Sequence, residues 1–126
     1  MKIFRLVHSI LREKLKIFSR SSRWPEVRDI FIETHAECSA CGGKRHLQVH
    51  HIRPFHLDPK EELDPENLIT LCMGHDECHL EIGHGGNFAN YNPHVVASAK
   101  EYRTNPKARE RVKFEARVKS LQLKGI

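Results

Sequence analysis

The stretch LQVHHIRPFHLDP, residues 47–59, sets His50 and His51 side by side at the end of an apolar, β-branched run that stops before Pro54. Residues 47–53 read as a short strand, because Pro54 cannot donate to a sheet ladder. Successive strand side chains face opposite sides. Adjacent histidines therefore share one site only if the backbone bends here, and the nearby proline is compatible with an end or a bulge. His56 follows just past the proline, and the chain spends ten of its 126 residues on histidine.

Working outward, LDPKEELDPEN (57–67) is acidic and rich in proline, and reads as a loop. LITLC (68–72) is a second short strand. From about Cys78, CHLEIGH begins a helix that Gly83 and the Gly85-Gly86 pair would end. Upstream, CSACGG (38–43) separates Cys38 from Cys41 by two residues and adds two glycines. That is the form of a zinc knuckle, a tight turn in which two thiolates meet one ion. Strand, loop, strand and helix make a ββα unit. So small a unit buries too little apolar area to hold a site rigidly, and a four-thiolate zinc would add the folding free energy that is missing.

The flanks are helical by pattern. Residues 3–18 mix Ile3, Phe4, Leu6, Val7, Ile10 and Leu11 with Arg and Lys, a basic amphipathic helix that packs on its own domain or lies on a membrane surface. Ser21 and Ser22 as start signals, with Pro25 in the first turn, predict a helix over about 25–35. Asn92 as cap and Pro93 in the first position predict another over 92–103. A last basic helix is expected from about Pro106 to Leu123. No run of about eighteen apolar residues exists to span a membrane. The N-terminus lacks both the uninterrupted apolar stretch and the cleavage site of a secretory signal, so the expected location is the cytoplasm, where four cysteines stay reduced and available to metal.

The formal charge of +5 is distributed unevenly. Residues 1–23 carry seven Lys/Arg against one acid, residues 100–126 carry nine against three, and residues 24–99 carry five against twelve. Basic ends attract polyanions. They are the candidates for phosphate contact, which positions DNA without reading its sequence.

Taken in order, CSACGG (38–43), LQVHHIRPFHLDP (47–59), ELDPENLITLC (62–72) and CHLEIGHGGN (78–87) resemble the HNH endonucleases of the ββα-metal class, in the branch with a structural cysteine cluster. RSSRWPEVR (20–28) resembles the lead-in of that branch. The resemblance covers about residues 20–95. It implies a small α+β fold with a zinc-clamped ββα-metal core (20–95), a basic amphipathic helix before it (1–19) and a basic helical tail after it (96–126), all within one domain, 1–126. It implies hydrolysis of DNA phosphodiester bonds to 5′-phosphate and 3′-hydroxyl ends. His51 matches the general base and Asn67 the middle asparagine that holds the loop and orients that base. His50 and His79 match ligands of a catalytic divalent ion, Mg²⁺, Mn²⁺, Co²⁺ or Ni²⁺, and His84 either completes that site or touches the phosphate. Cys38, Cys41, Cys72 and Cys78 match the structural zinc ligands.

The chain departs from the family at two places. Many relatives carry Asp where His50 stands, and the second cysteine pair is opened by MGHDE, so His75 rivals Cys78 as the fourth zinc ligand. His56 reads as structural or phosphate-adjacent and Trp24 as core packing. A non-catalytic zinc module that binds nucleic acid or a protein is the alternative function, but it has no use for His51, Asn67 and His79 together. A nuclease switched on by a protein partner, as in phage DNA packaging, is a third setting.

Overall fold

The computed structural model describes residues 19–123 together with the isolated Ile3. The amphipathic pattern over 3–18 thus falls outside the described residues, except for Ile3. The element order is α1 (Trp24–Thr34), β1 (Leu47–His51), β2 (Leu68–Cys72), a π-helical turn (His79–Gly83), α2 (Val95–Thr104) and α3 (Arg109–Gln122). Three short 3₁₀ turns intervene, two in the acidic loop at Pro59–Glu61 and Pro65–Asn67, and one at Pro106–Ala108 before α3. This is the small α+β fold expected, with a cysteine cluster beside a two-stranded sheet.

β1 and β2 pair antiparallel, with Leu47 opposite Cys72, His50 opposite Ile69 and His51 opposite Leu68. The period of two then divides the sheet. Val49 and Leu68 turn to one side, where Phe31 of α1 buries against them with Trp24, Val27 and Ile32. Ile69 and Leu71 turn to the other, into a larger core with Ile82, Val95, Ala99, Tyr102 and Val112. The three cysteines Cys38, Cys72 and Cys78 are buried in that second core.

The strand ends at His51, two residues short of the expectation from sequence. Beyond it, Ile52 N–H still donates to the Asn67 carbonyl (2.8 Å), but Arg53 pairs with the Asn67 side chain instead of backbone. The Asn67 amide accepts from Arg53 N–H (2.8 Å) and donates to the Arg53 carbonyl (3.1 Å). A side chain thus finishes the ladder where the backbone turns away toward Pro54.

The helix expected from Cys78 is wound as a π turn, and α2 begins at Val95, not at Asn92. Asn92 is fully buried and caps from two residues upstream of His94. Its Oδ1 accepts from His94 N–H (2.9 Å), while its Nδ2 donates to the Ile82 carbonyl (3.1 Å) and to Ser98 Oγ (3.0 Å). One side chain therefore joins the end of the π turn to the start of α2.

The basic C-terminal segment is not an appendage. Val112 and Ala116 of α3 are buried, and Ser120, also buried, lies so close to Gly85 that a Cβ there would collide with its Oγ. Many of its cations are also engaged. Arg109 pairs with Asp76 and sits over the Tyr102 ring, Arg111 bonds Glu101 and Glu115, and Lys113 bonds Glu110. The charge count alone overstates how much of this helix is open to a polyanion.

Asn92→Ala removes three hydrogen bonds and leaves the buried Ile82 carbonyl without that partner. A loss of about 2–3 kcal/mol in unfolding free energy is expected, read as a lower urea midpoint with an unchanged slope.

Candidate active site

Two groups of metal-ligating side chains form among the described residues. In the first, the Sγ atoms of Cys38, Cys41, Cys72 and Cys78 lie within 4.8 Å of one another. The knuckle is shaped by its backbone: Cys38 N–H donates to the Gly43 carbonyl (2.7 Å) and Gly42 N–H to the Cys38 carbonyl (2.9 Å). It is moored to the sheet by Ser39 N–H donating to the Thr70 carbonyl (2.9 Å). Cys41 N–H and Gly43 N–H point at the sulfurs of Cys38 (3.5 Å) and Cys41 (3.3 Å). Cys78 Sγ lies in this group, whereas His75 is exposed and does not.

The cluster strongly favours a cation. A hydrogen bond with the Cys78 thiol lowers the Cys38 pKa to about 4, and the same bond, with burial, pushes Cys78 far up. Burial raises Cys41 to about 11. Four thiolates this close repel one another unless a metal ion neutralises them, and four sulfurs are the donor set of a closed tetrahedral site.

In the second group, one ligand atom from each of His50, His79 and His84 lies within the same 4.8 Å limit. Their rings form a triangle with centroids 4.8–5.0 Å apart. The π winding makes this possible. On an α-helix, residues five apart point about 140° away from each other. Here His84 N–H reaches back to the His79 carbonyl (3.1 Å), a five-residue turn that stacks one histidine over the other. π turns of this kind recur at functional sites. Gly83 gives the turn its clearance, since a Cβ there would sit 3.1 Å from the His50 ring.

The hydrogen bonds fix which nitrogens are free. His79 Nδ1–H donates to Gln48 Oε1 (2.7 Å) and His84 Nδ1–H to the Asn90 carbonyl (2.7 Å). Both Nε2 atoms then carry lone pairs, and they stand 3.2 Å apart. His50 Nε2 is buried with no partner in the protein. Buried polar atoms are rarely left unpaired, and the facing Nε2 lone pairs of His79 and His84 repel until a cation or proton sits between them. Burial lowers all three pKa values, that of His79 to about 4, and the neighbouring rings depress His50 further. The rings are thus neutral at pH 7, the state in which imidazole binds metal. Outer-shell acceptors of the kind provided by Gln48 and Asn90 are what orients such ligands.

His51 stands on the opposite face of β1. The ladder runs regularly through it, so no bend divides the two histidines. The strand simply ends, and a cleft open at that end is lined by His50, His51, His79 and His84 together, with Arg20 on its rim. His51 Nε2–H donates to the Glu62 carbonyl (2.9 Å), which leaves the lone pair on Nδ1. Its ring rests on Trp24, centroids 4.4 Å apart. Burial lowers its pKa, with the Glu62 carbonyl opposing. The Asn67 side chain bonds Arg53 and Glu61, not His51. Its Nδ2 donates to the Glu61 carbonyl (3.2 Å), holding the loop segment whose next carbonyl receives His51. The Glu62 side chain is buried and binds Ser21 N–H (2.9 Å) and Arg20 (3.0 Å), tying α1 to the same loop.

Several of these supports are not among the residues that the sequence singles out. Gln48 has a usable signal, since it lies two residues before His50 and so on the same strand face. The Glu62 and Asn90 carbonyls have none, because any residue supplies one. His56 is exposed and lines the cleft.

Protons compete with folding here. Between about pH 6.5, the ordinary imidazole value, and about pH 4, the unfolded chain takes up a proton at His79 that the folded chain excludes. Stability is therefore expected to be full above pH 6.5 and to decline as the pH falls through that window. Thermal unfolding of metal-free protein across pH 4–8 measures it.

Comparison with known proteins bears on this central part of the chain. Residues 38–85 match the family model described as HNH endonuclease. No curated protein and no solved structure matches the chain. The matched segment contains both groups of candidate metal ligands, His51 and Asn67, and over residues 38–85 the chain is similar to the HNH endonuclease family.

Proposed function

We propose that the protein is a metal-dependent endonuclease that hydrolyses DNA phosphodiester bonds. The observation that carries this reading is the convergence of one ligand atom from each of His50, His79 and His84 within 4.8 Å, in the cleft that also holds His51. A zinc module needs no second, open ligand group of this kind, which is why the binding-only alternative accounts for less.

His50, His79 and His84 would hold one divalent ion. When bound, such an ion stabilises charge on the phosphate and on the leaving 3′ oxygen. His51 is the general base. Its Nε2 proton is committed to the Glu62 carbonyl, so Nδ1 accepts the proton of the attacking water. Oxygen bonds to phosphorus, the P–O3′ bond breaks, the O3′ oxyanion takes a proton from solvent water, and the ends are 5′-phosphate and 3′-hydroxyl. A lowered pKa keeps His51 neutral and ready at pH 7. Asn67 is a positioning residue, acting through the loop at Glu61 and Glu62. Among the described residues, Arg20 is the one Lys or Arg that lines the cleft, and it is ion-paired there with Glu62 (3.0 Å). Cys38, Cys41, Cys72 and Cys78 would hold a structural zinc, with Cys78 rather than His75 as the fourth ligand.

Three imidazoles without a carboxylate favour borderline metals, so Mn²⁺, Co²⁺ or Ni²⁺ should support activity at least as well as Mg²⁺. Supercoiled plasmid incubated with the protein over that panel tests the reading. His51→Ala should lower the rate on the order of 10²–10⁴-fold with metal content unchanged. His50→Ala should instead lose the catalytic ion. Equal rates in wild type and His51→Ala would remove His51 from the chemistry, and a wild type inactive with every ion would favour the binding module.

The cysteine assignment has its own check. Cys78→Ser should abolish stoichiometric zinc, measured by elemental analysis, and lower the melting temperature, whereas His75→Ala should change neither. Full zinc retention in Cys78→Ser would reverse the choice.

A further inference from the structure

Phe88 is a large apolar side chain, 56% exposed, at the mouth of the cleft. Its ring adjoins two of the three clustered histidines, with centroids 5.0 Å from His84 and 5.9 Å from His79. The loop beneath it is built to hold it there. Gly85 and Gly86 take positive φ values of 61° and 86°, which turn the chain out of the π turn. Gly86 N–H then donates to the Leu80 carbonyl (2.9 Å) and Asn90 N–H to the Asn87 carbonyl (2.8 Å). Asn87 Oδ1 accepts from Ala89 N–H (2.9 Å), and the Asn90 carbonyl receives His84. Phe88 thus stands on a hydrogen-bonded arch whose far end orients a cluster histidine. Its outer surface meets water and gains nothing from folding.

The cleft also defines what can lie on that surface. Among the described residues no aspartate or glutamate lines it, and although its one cation, Arg20, is paired with Glu62 (3.0 Å), a divalent ion held by the three histidines would make its chemistry suit an anion. In a nucleic acid the base hangs one sugar away from the phosphate. A flat aromatic ring beside the histidine cluster therefore lies within reach of a base whose phosphate occupies the cluster. In a paired duplex the faces of that base are covered by its neighbours. They become available only when the strand is single or the base is turned out.

We propose that Phe88 is a stacking platform for a nucleobase next to the scissile phosphate, and that the preferred substrate is therefore single-stranded or locally unpaired DNA. This rests on the nuclease reading above and adds the substrate class. Phe88 is a specificity-determining residue, not a catalytic one.

The test measures binding, not cleavage. On a His51→Ala background, fluorescence anisotropy compares a labelled single-stranded oligonucleotide with its fully paired duplex. The single strand should bind more tightly. Phe88→Leu should weaken single-strand binding about ten-fold or more, the usual effect of losing one base–aromatic stack, and should leave the duplex nearly unchanged. Phe88→Trp should restore the preference. Manganese binding by calorimetry should be equal in all three proteins. Equal DNA affinities with and without Phe88→Leu would overturn the platform while leaving the nuclease reading intact. Weakened manganese binding in Phe88→Leu would overturn it too, by making the ring a shield for the ligands. A protein that binds neither form of DNA would overturn both readings.

Discussion

Four sulfurs converging within 4.8 Å organise the whole centre of this chain. They come from three segments, the knuckle, the end of β2 and the entry to the π turn, and none of these is held by a long helix or a wide sheet. Without a cation, burial keeps Cys41 a thiol, and the bond to Cys38, with burial, does the same for Cys78. A cation that displaced those protons would join all three segments through four thiolates, as a clamp. The consequence reaches the second site through one peptide bond, because Cys78 is followed directly by His79. What fixes the sulfur also fixes where the imidazole begins its turn.

From that start, backbone winding does the rest. A π turn is less favourable than an α-helix, and it survives here because both ends are tied: Cys78 at the entry, and Asn92 gripping the Ile82 carbonyl at the exit. The gain is a pair of histidines five residues apart on one face, meeting a third from the sheet. α3 backs the arrangement from outside through the close approach of Ser120 to Gly85. The helix that looks like a basic appendage by composition is therefore part of the support for the site, and its ion pairs with Glu81, Glu101 and Asp76 serve that docking.

The two faces of β1 separate the work of adjacent histidines. His50 looks toward the π turn and His51 toward α1, and each meets a different set of neighbours: imidazoles on one side, an indole and a backbone carbonyl on the other. The proposed division, with one group holding an ion and another addressing a water, would need groups of different character close together. The end of a short strand offers this without strain, since opposite faces become accessible from one opening where the sheet stops.

Ordered spacing made the centre legible in the sequence. Cys-x2-Cys, the adjacent histidines before Pro54, Asn67 ahead of a five-residue strand and Cys-His are local patterns, and local patterns dictate turns, strand ends and donor types wherever they occur. The ββα order, the strand at 68–72 and α1 followed from the same short-range rules. What the chain's order could not decide was anything that depends on contact between distant segments. The choice of Cys78 over His75 in the sulfur cluster, the π winding that aligns His79 with His84, and the Gln48, Glu62 and Asn90 acceptors all arise from packing across the sheet and against α3. Spacing tells which atoms are able to meet; only the tertiary structure, by burying some and pairing others, decides which of them do.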